Sequence, residues 1–155
     1  FAGTQGHNTV MLGTYDQMLK GPRFIWWYWT KWKEASVKED EEKVVITGKI
    51  PVFPQAGKNI QHQRKITKWK KQLVWEIEDE LLNKPSALPM ILRWHPSASG
   101  GRSLRWTVLD QEGNAVKAAQ EDGWYSSYYG SREATKDIAF STLGNKLITR
   151  IEWNE

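Results

Sequence analysis

Residues 60–82 read IQHQRKITKWKKQLVWEIEDELL, and how this stretch folds decides the class of the whole chain. Two periods compete in it. Ile66, Trp69, Leu73, Ile77 and Leu81 recur at the steps of an amphipathic helix, whereas Trp69, Leu73, Trp75 and Ile77 fit one face of a strand with Lys71 intruding. A run of this length favours the helix, stopped by Asn83-Lys84-Pro85.

On either side the pattern is β. Upstream, KVVITGKI at residues 43–50 is a β-branched strand closed by Pro51 and Pro54 and preceded by the charged connector Glu39-Asp40-Glu41-Glu42. Downstream of Pro89, short apolar runs at residues 90–95, 104–108, 115–119 and 123–129 are separated by turn chemistry. One such turn is Asp110-Gln111-Glu112-Gly113-Asn114, with glycine where a positive φ is expected. Residues 138–143 and 146–153, joined by Gly144-Asn145, read as a two-residue β-hairpin. These elements predict a mainly β fold, an antiparallel sandwich or jelly-roll-like arrangement with one helix near residues 60–82. The alternative is an α+β fold with that helix on one face of an antiparallel sheet. Residues 1–9 (FAGTQGHNT), small and polar, read as a flexible N-terminal arm, and residues 10–155 as a single β-rich domain. The start at Phe1 rather than Met is expected of an N-terminus that has lost an upstream segment.

Ten tryptophans dominate the composition, four of them in FIWWYWTKW at residues 24–32. Each indole carries roughly 150–250 Å² to be hidden or used in contact. In a strand, Trp26 and Tyr28 face one way and Trp27 and Trp29 the other, so both faces need cover, either from a second layer of the fold or from a partner. Trp26, Trp27, Trp29 and Trp32 are therefore candidate interface residues. Trp124, Tyr125 and Tyr128 of GWYSSYYG join them, because aromatics mixed with hydroxyls suit adaptable recognition surfaces and sugar platforms.

Net charge is only +4, from 22 Lys and Arg against 18 Asp and Glu, a weak bias toward anionic partners. The chain has no cysteine, which excludes disulfides, thiolate zinc sites and cysteine nucleophiles and leaves its compartment unread. No run reaches the roughly 18 apolar residues of a membrane span. His7, His62 and His95 lack metal-ligand spacing, and Glu76, Glu78, Asp79 and Glu80 read as a solvated acidic face. Phosphate-binding glycine loops, nucleophile elbows and dinucleotide fingerprints are absent. No catalytic residue, metal or cofactor is assigned; an enzyme would need a pocket gathering at least two of His62, His95, Asp110 and Glu112.

The segment at residues 58–71 carries Lys58, Arg64, Lys65, Lys68, Lys70 and Lys71 with no acid among them, and Trp69 lies within it. Cations neutralise phosphates and an interleaved ring stacks on a base, so these seven residues are the candidate nucleic-acid contacts. The competing reading is a basic helix face beside a core tryptophan. The leading expectation is a non-enzymatic subunit that self-assembles in the manner of a coat protein, with copies of itself and nucleic acid as partners. A monomeric single-stranded nucleic-acid-binding module and a carbohydrate-binding module using Trp124, Tyr125 and Tyr128 are the alternatives.

Overall fold

The structure, a computed structural model, describes residues 3–31, 34–96, 104–126 and 128–153. After a 3-10 turn at Thr4–Gly6 come β1 (Val10–Leu12), β2 (Leu19–Lys20), β3 (Trp26–Tyr28), β4 (Glu34–Glu39), β5 (Lys43–Pro51) and β6 (Gln61–Trp69). They are followed by β7 (Val74–Leu82), β8 (Met90–Trp94), β9 (Leu104–Asp110), β10 (Ala119–Tyr125), β11 (Glu133–Thr142) and β12 (Lys146–Trp153). A four-stranded sheet in the order β1-β8-β11-β10 and a six-stranded sheet in the order β4-β5-β6-β7-β12-β9 form the fold, with β2 and β3 as a separate ribbon. Neighbouring strands are antiparallel, and the fold is β-sandwich-like. Val10, Leu12, Met90 and Leu92 from one sheet and Leu81 and Leu147 from the other are fully buried, with Phe53 and Ile60 from the loop beside them.

The helix expected near residues 60–82 is two strands. β6 and β7 pair through a turn at residues 70–73, and Leu73, counted in the helical stripe, is exposed there. In β7 the period of two wins: Ile77, Asp79 and Leu81 are buried while Glu76, Glu78 and Glu80 point the other way. Register then sets the basic strand against the acidic one, Arg64 opposite Asp79 and Lys65 opposite Glu78. Opposite charges at facing positions support a sheet pair, whereas the same charges strung along one helix gain no such pairing.

The expected hairpin at residues 138–153 is also corrected. β11 pairs with β8 and β10, but β12 pairs with β7 and β9, so Gly144-Asn145 turns a corner between the two sheets. The corner is fastened to the larger sheet: the Leu81 N–H donates to the Asn145 carbonyl at 2.8 Å. A short loop with an apolar run on each side looks the same in sequence whether its strands pair or face one another.

Within the aromatic run, Trp26–Tyr28 form β3 outside both large sheets, and Phe24, Trp27 and Trp29 stand exposed on or beside it. From residue 3 the stretch read as an arm is pinned. Thr4 is buried, its N–H donates to Asp16 Oδ1 at 2.6 Å, and its Oγ1 accepts the Gln17 N–H at 2.9 Å.

The turn after β9 has the chemistry expected of it. Asp110 Oδ1 accepts the N–H groups of Glu112 and Asn114, and Gly113 takes φ +85°. Gly113→Ala is expected to cost about 1–2 kcal/mol by placing a Cβ in left-handed backbone. Thermal denaturation will register this as a lowered Tm.

Candidate functional site

A cleft of about 420 Å³ opens beside β11, between the end of β8 on one side of it and the edge strand β10 on the other, walled by Gly3, Gln5, His95, Trp124, Arg132 and Asp137. Trp124 alternates outward from β10 and is 49% exposed. The guanidinium of Arg132, just before β11, lies over its ring at 3.9 Å from the centroid. This geometry keeps a cation on an indole while the rest of the ring stays open.

Asp137 of β11 is buried and folds across the backbone of β10. A Cβ at Gly123 would sit 2.2 Å from the Asp137 carboxyl carbon, so only glycine allows that approach. Asp137 Oδ1 stands 2.8 Å from His95 Nδ1 but makes no hydrogen bond among the described residues, and the backbone N–H of His95 donates to Asn8 Oδ1 at 2.7 Å. His95 Nε2 has no hydrogen-bond partner among the described residues. The cleft thus offers an apolar ring face and a stacked cation, a set suited to a ring-shaped ligand bearing an anionic group.

A second polar cluster lies inside the sandwich. Asp79 is 0% exposed and takes His62 Nε2 at 2.6 Å and Arg64 Nε at 2.7 Å on Oδ1, with an Arg64 terminal nitrogen at 3.1 Å on Oδ2. Another terminal nitrogen of Arg64 donates to the Asn8 carbonyl, and its guanidinium lies 5.6 Å from the Trp94 ring centroid. Burial pushes the Asp79 carboxyl up, but the hydrogen bond from His62 and the charges of Arg64 and His62 outweigh it and hold the group below its ordinary range. With no solvent access to Asp79, the cluster serves as a clamp tying the N-terminal segment to β6 and β7.

The basic segment does not form one free cationic face. Arg64 is committed to Asp79, Lys65 to Glu78 at 2.5 Å and Lys70 to Glu39 at 2.6 Å. Lys68 lies 4.7 Å from the Trp75 ring centroid and donates to the Trp69 and Gln72 carbonyls. Trp69 is half-buried, and Lys58 and Lys71 border separate grooves. Glu78 itself is held below its ordinary pKa: burial pushes it up, while Lys146 and Lys65 bring it down by more.

Of the candidate interface aromatics, Trp27 and Trp29 are 68% and 60% exposed, and Trp26 is half-buried edge-on to Trp29 at 5.9 Å. Tyr125 is half-buried, Tyr128 exposed, and Trp32 lies outside the described residues. His95 lines the cleft, whereas His62 borders a groove by β4 and β5, Asp110 ends β9 and Glu112 sits in the turn that follows. Sequence reasoning found Trp124 but passed over Arg132 and Asp137. They reach the cleft only because β10 pairs with β11 in the register Gly123 to Thr135 and Tyr125 to Glu133, which no local pattern reveals.

Among the described residues, no helix is long and apolar enough to cross a membrane, and no group of three or more His, Asp or Glu is placed to hold a metal. The profile of the family described as "Heparinase II/III-like, C-terminal" matches residues 1–154. No curated protein matches the chain. A heparan sulfate lyase HepC mutant from Pedobacter heparinus superposes with a TM-score of 0.74 at 14% identity, covering 99% of this chain and 25% of its own. A heparinase III superposes with a TM-score of 0.69 at 18% identity, covering 97% of this chain and 24% of its own. At these identities the likeness is one of fold, and the chain spans about a quarter of those proteins. The family match overturns the expectation of a coat-type, nucleic-acid-binding subunit: it points to a carbohydrate-related β-sandwich, which the sugar-binding alternative fits better.

Proposed function

We propose, from the premise that the chain belongs to the Heparinase II/III-like, C-terminal family, that it is the sugar-contacting β-sandwich part of a protein that handles an acidic polysaccharide. In this reading it has no catalysis of its own. The observation that carries it is Arg132 stacked on Trp124 beside His95. An indole face accepts the apolar face of a pyranose, and a guanidinium pairs bidentately with a carboxylate or other planar oxyanion.

The two neighbours whose names specify heparan sulfate and heparinase activity make heparan sulfate oligosaccharides the natural probe. Trp124→Ala and Arg132→Ala are each expected to weaken binding of such an oligosaccharide about tenfold, the scale of an aromatic or arginine anchor at an interface. Titration calorimetry, with a neutral oligosaccharide for comparison, measures it. Absence of binding by the unaltered protein, or affinity unchanged in both variants, would sink the reading.

A further inference from the structure

The cleft has a neighbour. A second groove, lined by His7, Asp16, Met18, Trp26 and Thr30, runs between the N-terminal segment and the β2–β3 ribbon. The same short segment walls both: Gly3, Gln5 and Gly6 line the cleft, while Thr4, His7 and Thr9 line the groove. That segment is fixed by the Thr4–Asp16 and Thr4–Gln17 hydrogen bonds, and Gln17 Nε2 donates to Thr9 Oγ1 at 2.9 Å. The two concavities therefore lie on opposite sides of one anchored strip of chain.

Beside Trp26 stands exposed Trp29, whose ring meets that of Trp26 edge-on at 84°. Between residues 16 and 31 the only charged groups are Asp16, Lys20, Arg23 and Lys31. Asp16 is occupied by the Thr4 N–H, and the three cations are exposed. The groove thus offers paired indoles on a segment whose free charges are cationic, and it shares the wall of residues 3–9 with the Trp124–Arg132 cleft.

We infer that cleft and groove are two subsites of one binding track, and that a single acidic polysaccharide chain crosses the N-terminal turn with Trp124 under one of its rings and the Trp26–Trp29 platform under another. This rests on the sugar-binding reading above and adds to it a second, separate contact, carried by the ribbon.

Joining two contacts on one ligand makes affinity depend on ligand length, because the second contact forms at the high effective concentration set by the first. Titrations of the protein with short and long heparan sulfate oligosaccharides test the inference. The expected result is a gain of about tenfold or more for the long ligand. Trp29→Ala should remove that gain while leaving short-ligand affinity unchanged, and Trp124→Ala should weaken both lengths. Trp29 is exposed, so unaltered thermal melting should confirm that this variant keeps the fold. If short ligands bind and length brings no gain, or if the gain survives in Trp29→Ala, the track is overturned and the cleft stands. If the unaltered protein binds no length, the cleft reading falls and the track falls with it.

Discussion

Asp79→Ala is expected to destabilise the fold by about 3–5 kcal/mol, the cost of breaking a buried ion pair by removing one partner. Asp79 is the only acid in hydrogen-bond contact with both His62 and Arg64 among the described residues, and it has no exposure to water. Without it, Arg64 keeps a charge beneath the N-terminal segment with nothing to neutralise it. Asp79→Asn preserves the shape but not the charge, and should fall on the same side. Urea unfolding at neutral pH measures both variants as lowered midpoints.

The same carboxylate gives a pH signature. Its pKa is lowered in the folded protein relative to the reference value of 3.8, so its contribution is fully present above about that pH and disappears as pH falls through the lower folded value. The unaltered protein should therefore lose stability on acidification below roughly pH 4, more steeply than Asp79→Asn, which has no proton to take up there. Parallel acid profiles for the two proteins would exclude the clamp as a source of stability.

Gly123→Ala is the second large effect. The new Cβ would stand 2.2 Å from the Asp137 carboxyl carbon, closer than any packed arrangement allows, and the clash falls on a buried side chain between paired strands. Relief requires Asp137 to swing away from His95, so stability should fall by about 1–3 kcal/mol, the usual cost of overpacking. Oligosaccharide binding should weaken with it, because Asp137 and His95 wall the cleft and would be displaced. Adding Asp137→Ala removes the clash, and the double variant should recover stability relative to Gly123→Ala without recovering binding. If Gly123→Ala melts and binds like the unaltered protein, the close approach has no part in shaping the cleft.

Much of the β architecture is legible because local chemistry and final structure agree. Residues 43–50 form a strand for their β-branched content, and Gly113 takes the positive φ that the Asp110 turn implies. The failures share one cause: they depend on which strand is the neighbour. Residues 60–82 carry apolar positions compatible with either period, and the decisive fact is that basic β6 meets acidic β7 residue by residue. Gly144-Asn145 looks like a hairpin because turn residues report a change of direction, not whether the two strands share a sheet. The cleft shows the same division. Trp124 stood out together with Tyr125 and Tyr128 in an aromatic run, but Arg132 and Asp137 became part of its site only through the pairing of β10 with β11. The surplus of indole was legible for a different reason, since an interior has a finite volume whatever its topology. Trp27, Trp29, Trp124 and Trp153 remain substantially exposed.

The corner between β11 and β12 also bears on how the protein is made. β12 occupies the slot between β7 and β9, so as the polypeptide leaves the ribosome its larger sheet waits, split into the four strands β4 to β7 and the lone strand β9, each with a bare hydrogen-bonding edge, until residues 146–153 emerge. Such edges invite pairing with other nascent chains. Completion of the sandwich is thus a late event in biogenesis, and the vulnerable interval is the one just before this closing strand arrives.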